Sequence, residues 1–212
     1  MPCWDHEKSH RYAVAFFVVP GLYFIEGLSP QTPCVVWAFQ DYFKTMAKKG
    51  IEKTNAARLL DKAGLKYALI PYEVDENDLA AGHVAESLGE PVERVFKTLV
   101  LHGDKSGYLV CVVPGDMEVN LKSLAKASGN KKVEMIPMKD LLGVTGYIRG
   151  GCSPIGMKKK FPTFIHETAL SFETIFISAG VRGLQIEIAP ADLISYTGAM
   201  TGSLADPIGF QE

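Results

Sequence analysis

A single α+β domain built around a curved, mixed β-sheet is the fold class that the sequence predicts, and three observations carry that expectation. Short β-rich runs and short helical patterns are interleaved without the regular strand–helix alternation of a doubly wound fold. Neighbouring β-rich runs are joined by brief turn signals, which favours hairpins over crossovers. A chain of 212 residues with 47% hydrophobic and 22% charged residues can bury one sizeable core, and it shows no repeat or low-complexity linker.

The first 45 residues read differently from the rest. They concentrate both tryptophans and follow no steady period, and their apolar run from Ala13 to Ile25 is too short to span a membrane and is broken by Pro20-Gly21. No small-x-small cleavage site follows it closely, so a secretory leader is not indicated. The stretch "MAKKGIEKTNAARLL" reads as a fresh start. The expectation is therefore that residues 1–45 are a non-family extension, not natural or poorly ordered, with a genuine extension or anchor as the competing idea. The domain is expected over 46–204, followed by a short tail over 205–212.

Each element has its own signal. Thr54 or Asn55 can cap a helix through "NAARLLDKAG", whose Leu59, Leu60 and Ala63 share a face and whose Gly64 ends it. "KYALIPYEV" alternates as a strand, with Tyr67, Leu69 and Pro71 on one side and Ala68, Ile70 and Tyr72 on the other. "AGHVAESLGE" is a second short helix, closed by Gly89 and Pro91. "VFKTLVLHG" and "YLVCVVPG" flank "DKSG" and predict a hairpin. Asn120 can cap "LKSLAKASG"; "KKVEMI" reads as a strand and "PMKDLLG" as a helix with proline in its first turn. "TFIHE", "TIFISAG" and "LQIEIA" are three further strands, and "PADLISYTG" is a last helix.

The formal net charge of −2 argues against a broad basic surface for sequence-blind nucleic-acid binding. Lys131-Lys132 and Lys158 to Lys160 form either a local basic patch or simply a solvated face. Cys3, Cys34, Cys111 and Cys152 have no metal-ligand spacing and the histidines are scattered, so neither a metal nor another cofactor is expected. Free thiols fit a reducing compartment, hence the cytoplasm.

Two features invite chemistry. Lys97 interrupts an apolar strand and shares a face with Val95 and Leu99, so it points either to solvent or into a site for an anionic or carbonyl-bearing ligand. In "YIRGGCSPIGMKKKF", the adjacent Gly150 and Gly151 make either a plain turn or a loop whose N–H groups hold an oxygen. Cys152 within that loop would need a base to act as a nucleophile, and His166 is the nearest histidine in sequence. Asp75, Glu76 and Asp78 read as a solvated polar turn. The loop matches no phosphate-binding or dinucleotide fingerprint.

Taken in order, "KTNAARLLDKAGLKY", "VFKTLVL", "KKVEM", "TGYIRGGCSPIGMKKK" and "ETIFISAGVRGLQIEIAPADL" resemble the YbaK family of Cys-tRNA(Pro) deacylases. These are freestanding relatives of the editing domain of bacterial prolyl-tRNA synthetases. The likeness runs from about Met46 to Gly202 and implies a single domain on a curved, barrel-like mixed sheet. It implies Lys97 and Gly150 as the catalytic pair. It also implies Tyr72, Thr98, Gly151, Ser153, Pro154, Ser178 and Gly180 as substrate-binding residues. No pocket residue is carried over from Ala80 to His83, where the sequence departs from the family.

The implied reaction needs no protein nucleophile. Cysteine is close in size to proline, so a synthetase pocket rejects it poorly and a second site must clear it. The substrate thiol attacks its own ester carbonyl and leaves as a cyclic thioester. Cys152 is then a bystander. The implied partners are Cys-tRNA(Pro) and prolyl-tRNA synthetase, with no membrane; the oligomeric state is not legible. The alternatives are a deacylase for Ala-, Ser- or Thr-charged tRNA using water or a ribose hydroxyl, a non-catalytic tRNA- or synthetase-binding module, and a Cys152-dependent hydrolase.

Overall fold

The computed structural model describes residues 52–76 and 78–209. The expectations for residues 1–45 and for a start at Met46 lie outside the described residues.

Five α-helices and ten strands are described: α1 (Asn55–Ala63), β1 (Tyr67–Pro71), α2 (Ala81–Leu88), β2 (Phe96–Gly103), β3 (Gly107–Pro114), β4 (Met117–Val119), α3 (Leu121–Ala127), β5 (Val133–Met135), α4 (Met138–Thr145), β6 (Thr163–His166), β7 (Ile175–Ser178), β8 (Leu184–Ile188), α5 (Pro190–Thr197), β9 (Met200–Gly202) and β10 (Ala205–Pro207). They form an antiparallel three-stranded sheet in the order β1-β8-β7 and a mixed five-stranded sheet in the order β5-β2-β3-β6-β9, with β10 paired to β4. A parallel bridge between Val95 and Phe176 ties the two larger sheets together. The architecture is mixed α+β, as expected, and no sheet among the described residues closes into a barrel.

The predicted hairpin forms β2 and β3 in continuous antiparallel register from Phe96–Pro114 to Gly103–Gly107. β3 is buried from Leu109 to Pro114 because both of its faces are covered. Val110 and Val112 join the main core with Ile165, Ile177 and Ile186, whereas Leu109, Cys111 and Val113 pack with Leu101 and Leu124. This is why its sequence reads as an unbroken apolar run. α1 buries Ala56, Ala57 and Leu60, the first and last of them in the main core, and Thr54 is its cap, its Oγ1 accepting from the Ala57 N–H at 3.2 Å.

Some boundaries move. The first strand stops at Pro71, so Tyr72 lies just beyond it, although its N–H still donates to the Gly183 carbonyl at 3.0 Å. α4 runs past Gly143 to Thr145 and is closed by Gly146. β4, β9 and β10 are three-residue strands made only by non-local pairing, and β10 occupies part of the stretch read as a C-terminal tail.

One consequence of the topology positions the site. β5 pairs only with Leu101 to Gly103, the far half of β2. The near half, Phe96 to Leu99, has no ladder partner on that side among the described residues and borders a cleft instead.

Candidate active site

The cleft has a volume of about 740 Å³ and opens where β2, the start of α2, the turn after β3, the start of α4 and the 149–152 loop converge. Lys97, Thr98, Gly150, Cys152 and Ser178 line it, together with Gln185, Asp116, Arg149 and the apolar Leu79, Ile136 and Met138. Four of the sequence-derived site residues, Lys97, Thr98, Gly150 and Ser178, thus meet in one place although they come from three separate parts of the chain.

Lys97 is half-buried, and its Nζ donates to the Gly115 carbonyl at 3.2 Å. Burial depresses its pKa below the ordinary lysine value, while Glu118 and then Asp116 push it back up. One buried carboxylate oxygen of Asp116, Oδ1, accepts no hydrogen bond. This wall therefore carries a desolvated cation with partial compensation, an arrangement suited to an anionic or carbonyl group entering the cleft.

Gly150 has φ +79°, and a Cβ there would lie 3.3 Å from both Leu79 methyl carbons and 3.4 Å from Arg182 Nε. The loop is held from three sides. The Gly151 N–H donates to the Ile148 carbonyl at 3.0 Å, Arg182 Nε donates to the Arg149 carbonyl at 3.0 Å, and Tyr147 Oη donates to the Ile155 carbonyl at 2.6 Å. The N–H groups of Gly150 and Cys152 have no acceptor among the described residues, so they remain available to an oxygen in the cleft.

Cys152 is 9% exposed and packs with Val100 and Tyr147, and burial pushes its thiol up to about 12. His166 is buried on β6, where its Nδ1 bonds to Thr168. No hydrogen bond joins Cys152 to any base among the described residues. A neutral, unassisted thiol is a poor nucleophile.

The other expected residues are placed around the cleft, not among its lining residues. Tyr72 packs on the cluster formed by Val84, Val95 and Phe176. Ser153 is fully buried, its hydroxyl accepting from the Ile155 N–H at 3.3 Å, so it shapes the loop from within. Gly151 is buried, Pro154 is half-buried, and Gly180 backs directly onto the Tyr147 ring. Lys158 is committed to the end of α4, donating to the Leu142 and Gly143 carbonyls at 3.1 and 3.2 Å.

Sequence reasoning missed Leu79, Ala80, Ala81 and Gly82, the last three in the Ala80 to His83 stretch from which no pocket residue is carried over, and it missed Gln185. Gln185 had a signal: a lone amide in the run "LQIEI" between residues of the main core. Asp116 and Arg149 break no local pattern in the sequence.

The description "Aminoacyl-tRNA editing domain" belongs to the family whose sequence model matches residues 76–196. The Enterococcus faecalis protein EbsC, which bears the provisional name Cys-tRNA(Pro)/Cys-tRNA(Cys) deacylase, is 54% identical over 150 residues, covering 71% of this chain and 92% of EbsC. A proline–tRNA ligase of Fervidobacterium nodosum is 34% identical over 82 residues, 39% of this chain and 14% of the ligase. In fold, the chain is similar to a crystal structure provisionally described as a trans-editing enzyme for prolyl-tRNA synthetase. The TM-score is 0.62 at 23% identity, over 72% of this chain and 98% of the other.

Proposed function

We propose, from the premise that this chain belongs to the aminoacyl-tRNA editing-domain family, that it is a trans-editing deacylase removing cysteine from mischarged Cys-tRNA(Pro). The observation that carries this reading is the pairing of available loop N–H groups and a desolvated lysine with a cysteine that has no base. The cleft offers groups to hold a substrate and its developing charge, and it offers no activated nucleophile of its own.

In the proposed reaction the ester carbonyl oxygen sits against the Gly150 and Cys152 N–H groups. The substrate thiol gives up its proton and its sulfur attacks the carbonyl carbon. A C–S bond forms, and the oxygen carries the negative charge of the tetrahedral intermediate, which the loop N–H groups stabilise. The carbonyl then re-forms, the bond to the ribose oxygen breaks, and that oxygen takes a proton. The tRNA leaves with a free hydroxyl and the cysteine leaves as a four-membered cyclic thioester. Holding sulfur and carbonyl together in the cleft supplies much of the rate. In this reading Lys97 holds the terminal adenosine or its phosphate, and Thr98 and Ser178, which line the same cleft, bind the substrate.

A cleft of this size takes the aminoacyl end and little more of the tRNA. Selection would then act on the amino acid, and delivery of tRNA(Pro) would fall to prolyl-tRNA synthetase. The name given to EbsC, which includes Cys-tRNA(Cys), supports selection of this kind.

The test is a side-by-side assay on tRNA(Pro) charged with cysteine or serine, which exchanges sulfur for oxygen at nearly constant shape. Clearance of the cysteinyl ester alone supports the thiol route. Equal clearance of both makes water or a ribose hydroxyl the nucleophile and widens the substrates to Ser, Ala or Thr esters. Clearance of neither removes the deacylase reading and leaves a binding module.

A further inference from the structure

We infer that Gln185 is the residue that reads the substrate α-amino group, an assignment that rests on the aminoacyl-ester reading above. Gln185 lies on β8, the middle strand of its sheet, between Ile70 of β1 and Ser178 of β7. Its neighbours along the strand, Leu184 and Ile186, point into the main core. Gln185 points the other way and lines the cleft. It is only 5% exposed, and its Oε1 is buried with no hydrogen-bond partner.

A buried amide oxygen left unpaired keeps its desolvation penalty uncompensated, so an apolar side chain would suit the position better if packing were the only demand. Thr98 Oγ1 and Asp116 Oδ1, in the same cleft, are also buried oxygens without a partner. Other lining residues supply donors, namely the Gly150 and Cys152 N–H groups and the Lys97 ammonium. Donors match the carbonyl and phosphate oxygens of an aminoacyl end. Three unpaired acceptors, of which Gln185 Oε1 and Thr98 Oγ1 are uncharged, call for something that such an end donates.

The aminoacyl group offers two donors. One is the thiol, a weak donor that must lose its proton to react. The other is the α-amine, one carbon from the ester carbonyl and therefore close to wherever the loop holds that carbonyl. An amide suits this task for a further reason. It accepts from either protonation state of the amine without adding a charge, whereas a carboxylate would favour the ammonium form. The amine thus becomes a point of recognition that lies beside the reacting thiol but leaves it free.

The experiment measures binding of amide-linked, non-cleavable analogues of the aminoacyl-tRNA end, one with cysteine and one with 3-mercaptopropionate, which lacks only the amino group. The wild-type protein is expected to prefer the cysteinyl analogue by about tenfold or more, because without the amine the buried acceptors stay unpaired. Gln185→Met should melt no lower than wild type, since it removes the orphan oxygen, yet lose most of that preference. Gln185→Glu keeps an acceptor and should retain it. Equal binding of both analogues by the wild type, or an unchanged preference in Gln185→Met, overturns the assignment. Because binding needs no turnover, failure to clear Cys-tRNA(Pro) would sink the deacylase reading while these ratios still decide the role of Gln185.

Discussion

The Lys97 ammonium donates to the carbonyl oxygen of Gly115 across the turn that follows β3. That single contact leaves donors of Lys97 free in a half-buried setting, and burial outweighs the pull of Glu118 and Asp116 on its charge. A folded-state pKa below the unfolded value means that the folded chain holds this proton less tightly. The charged form therefore costs stability at neutral pH, and the cost disappears only as pH rises through the depressed pKa towards 10.5. Replacing Lys97 by methionine should leave the melting temperature at pH 7 unchanged or raised. Deacylation of Cys-tRNA(Pro) should fall by about two orders of magnitude, the scale for losing a positioned donor. Loss of activity accompanied by unfolding would instead make Lys97 a structural residue.

Gly150 meets two demands at once, a positive φ and the absence of a Cβ beside Leu79 and Arg182. Gly150→Val should abolish activity, because the strained backbone would shift and withdraw the loop N–H groups from the cleft. Gly143, inside α4 with nothing near its missing Cβ, is the matched control. Gly143→Ala should raise stability by about 0.4–1 kcal/mol and leave deacylation alone. A fully active Gly150→Val protein would reduce the loop to an ordinary turn.

Cys152 gives a prediction in pH. Its thiol titrates near 9.0 when unfolded and is pushed up to about 12 by burial, and Cys111 behaves in the same way. A raised thiol pKa contributes stability that is present below pH 9 and is lost as pH climbs towards 12. Thermal melts between pH 8 and 11 should therefore show a falling midpoint, with a shallower slope in Cys152→Ala. The same variant should clear Cys-tRNA(Pro) within about threefold of the wild-type rate, since an inert buried thiol contributes packing and no chemistry. A collapse of rate with the fold intact would restore Cys152 as the nucleophile.

How much of this was legible in the sequence differs between fold and site. The β2–β3 hairpin, α1 and the strand pair β7 and β8 were readable because turn chemistry, caps and apolar period all lie within a few residues of each other. β4, β9 and β10 were not, since each is only three residues long and exists through a partner far away in sequence. Lys97 and Gly150 were conspicuous because each breaks a local rule, a charge in an apolar strand and a glycine pair in a loop. Leu79 and Asp116 break none; they reach the cleft because β5 leaves the near half of β2 uncovered. Ser153 and Gly180 show the limit of motif reading. Both lie in recognisable motifs, yet one is sealed inside the loop and the other stands behind Tyr147.

Tyr147 is the strut that this last contact exposes. It is 9% exposed, and its hydroxyl donates to the Ile155 carbonyl at 2.6 Å, bridging the two ends of the segment that presents Gly150 and Cys152. Burial and then the neighbouring Cys152 push the phenol up to about 12, so it stays a donor throughout the working range. Tyr147→Phe keeps the ring but leaves the Ile155 carbonyl without its donor, which should cost about 1–2 kcal/mol. For a domain of this size that is a drop of roughly 2–8 °C in melting temperature. Gly180→Ala attacks the same strut from behind. Its φ of +94° is strained for alanine, and the new Cβ would lie 2.8 Å from Tyr147 Cε1, so the ring must move. Both variants should lower kcat/KM for Cys-tRNA(Pro) although neither residue is among those lining the cleft, and Gly180→Ala should do so more severely. The double variant provides the decisive measurement. If both changes act through the position of one ring, their effects on melting and on kcat/KM should fall well short of additive. Full additivity would mean that Gly180 acts independently, through direct contact with the substrate.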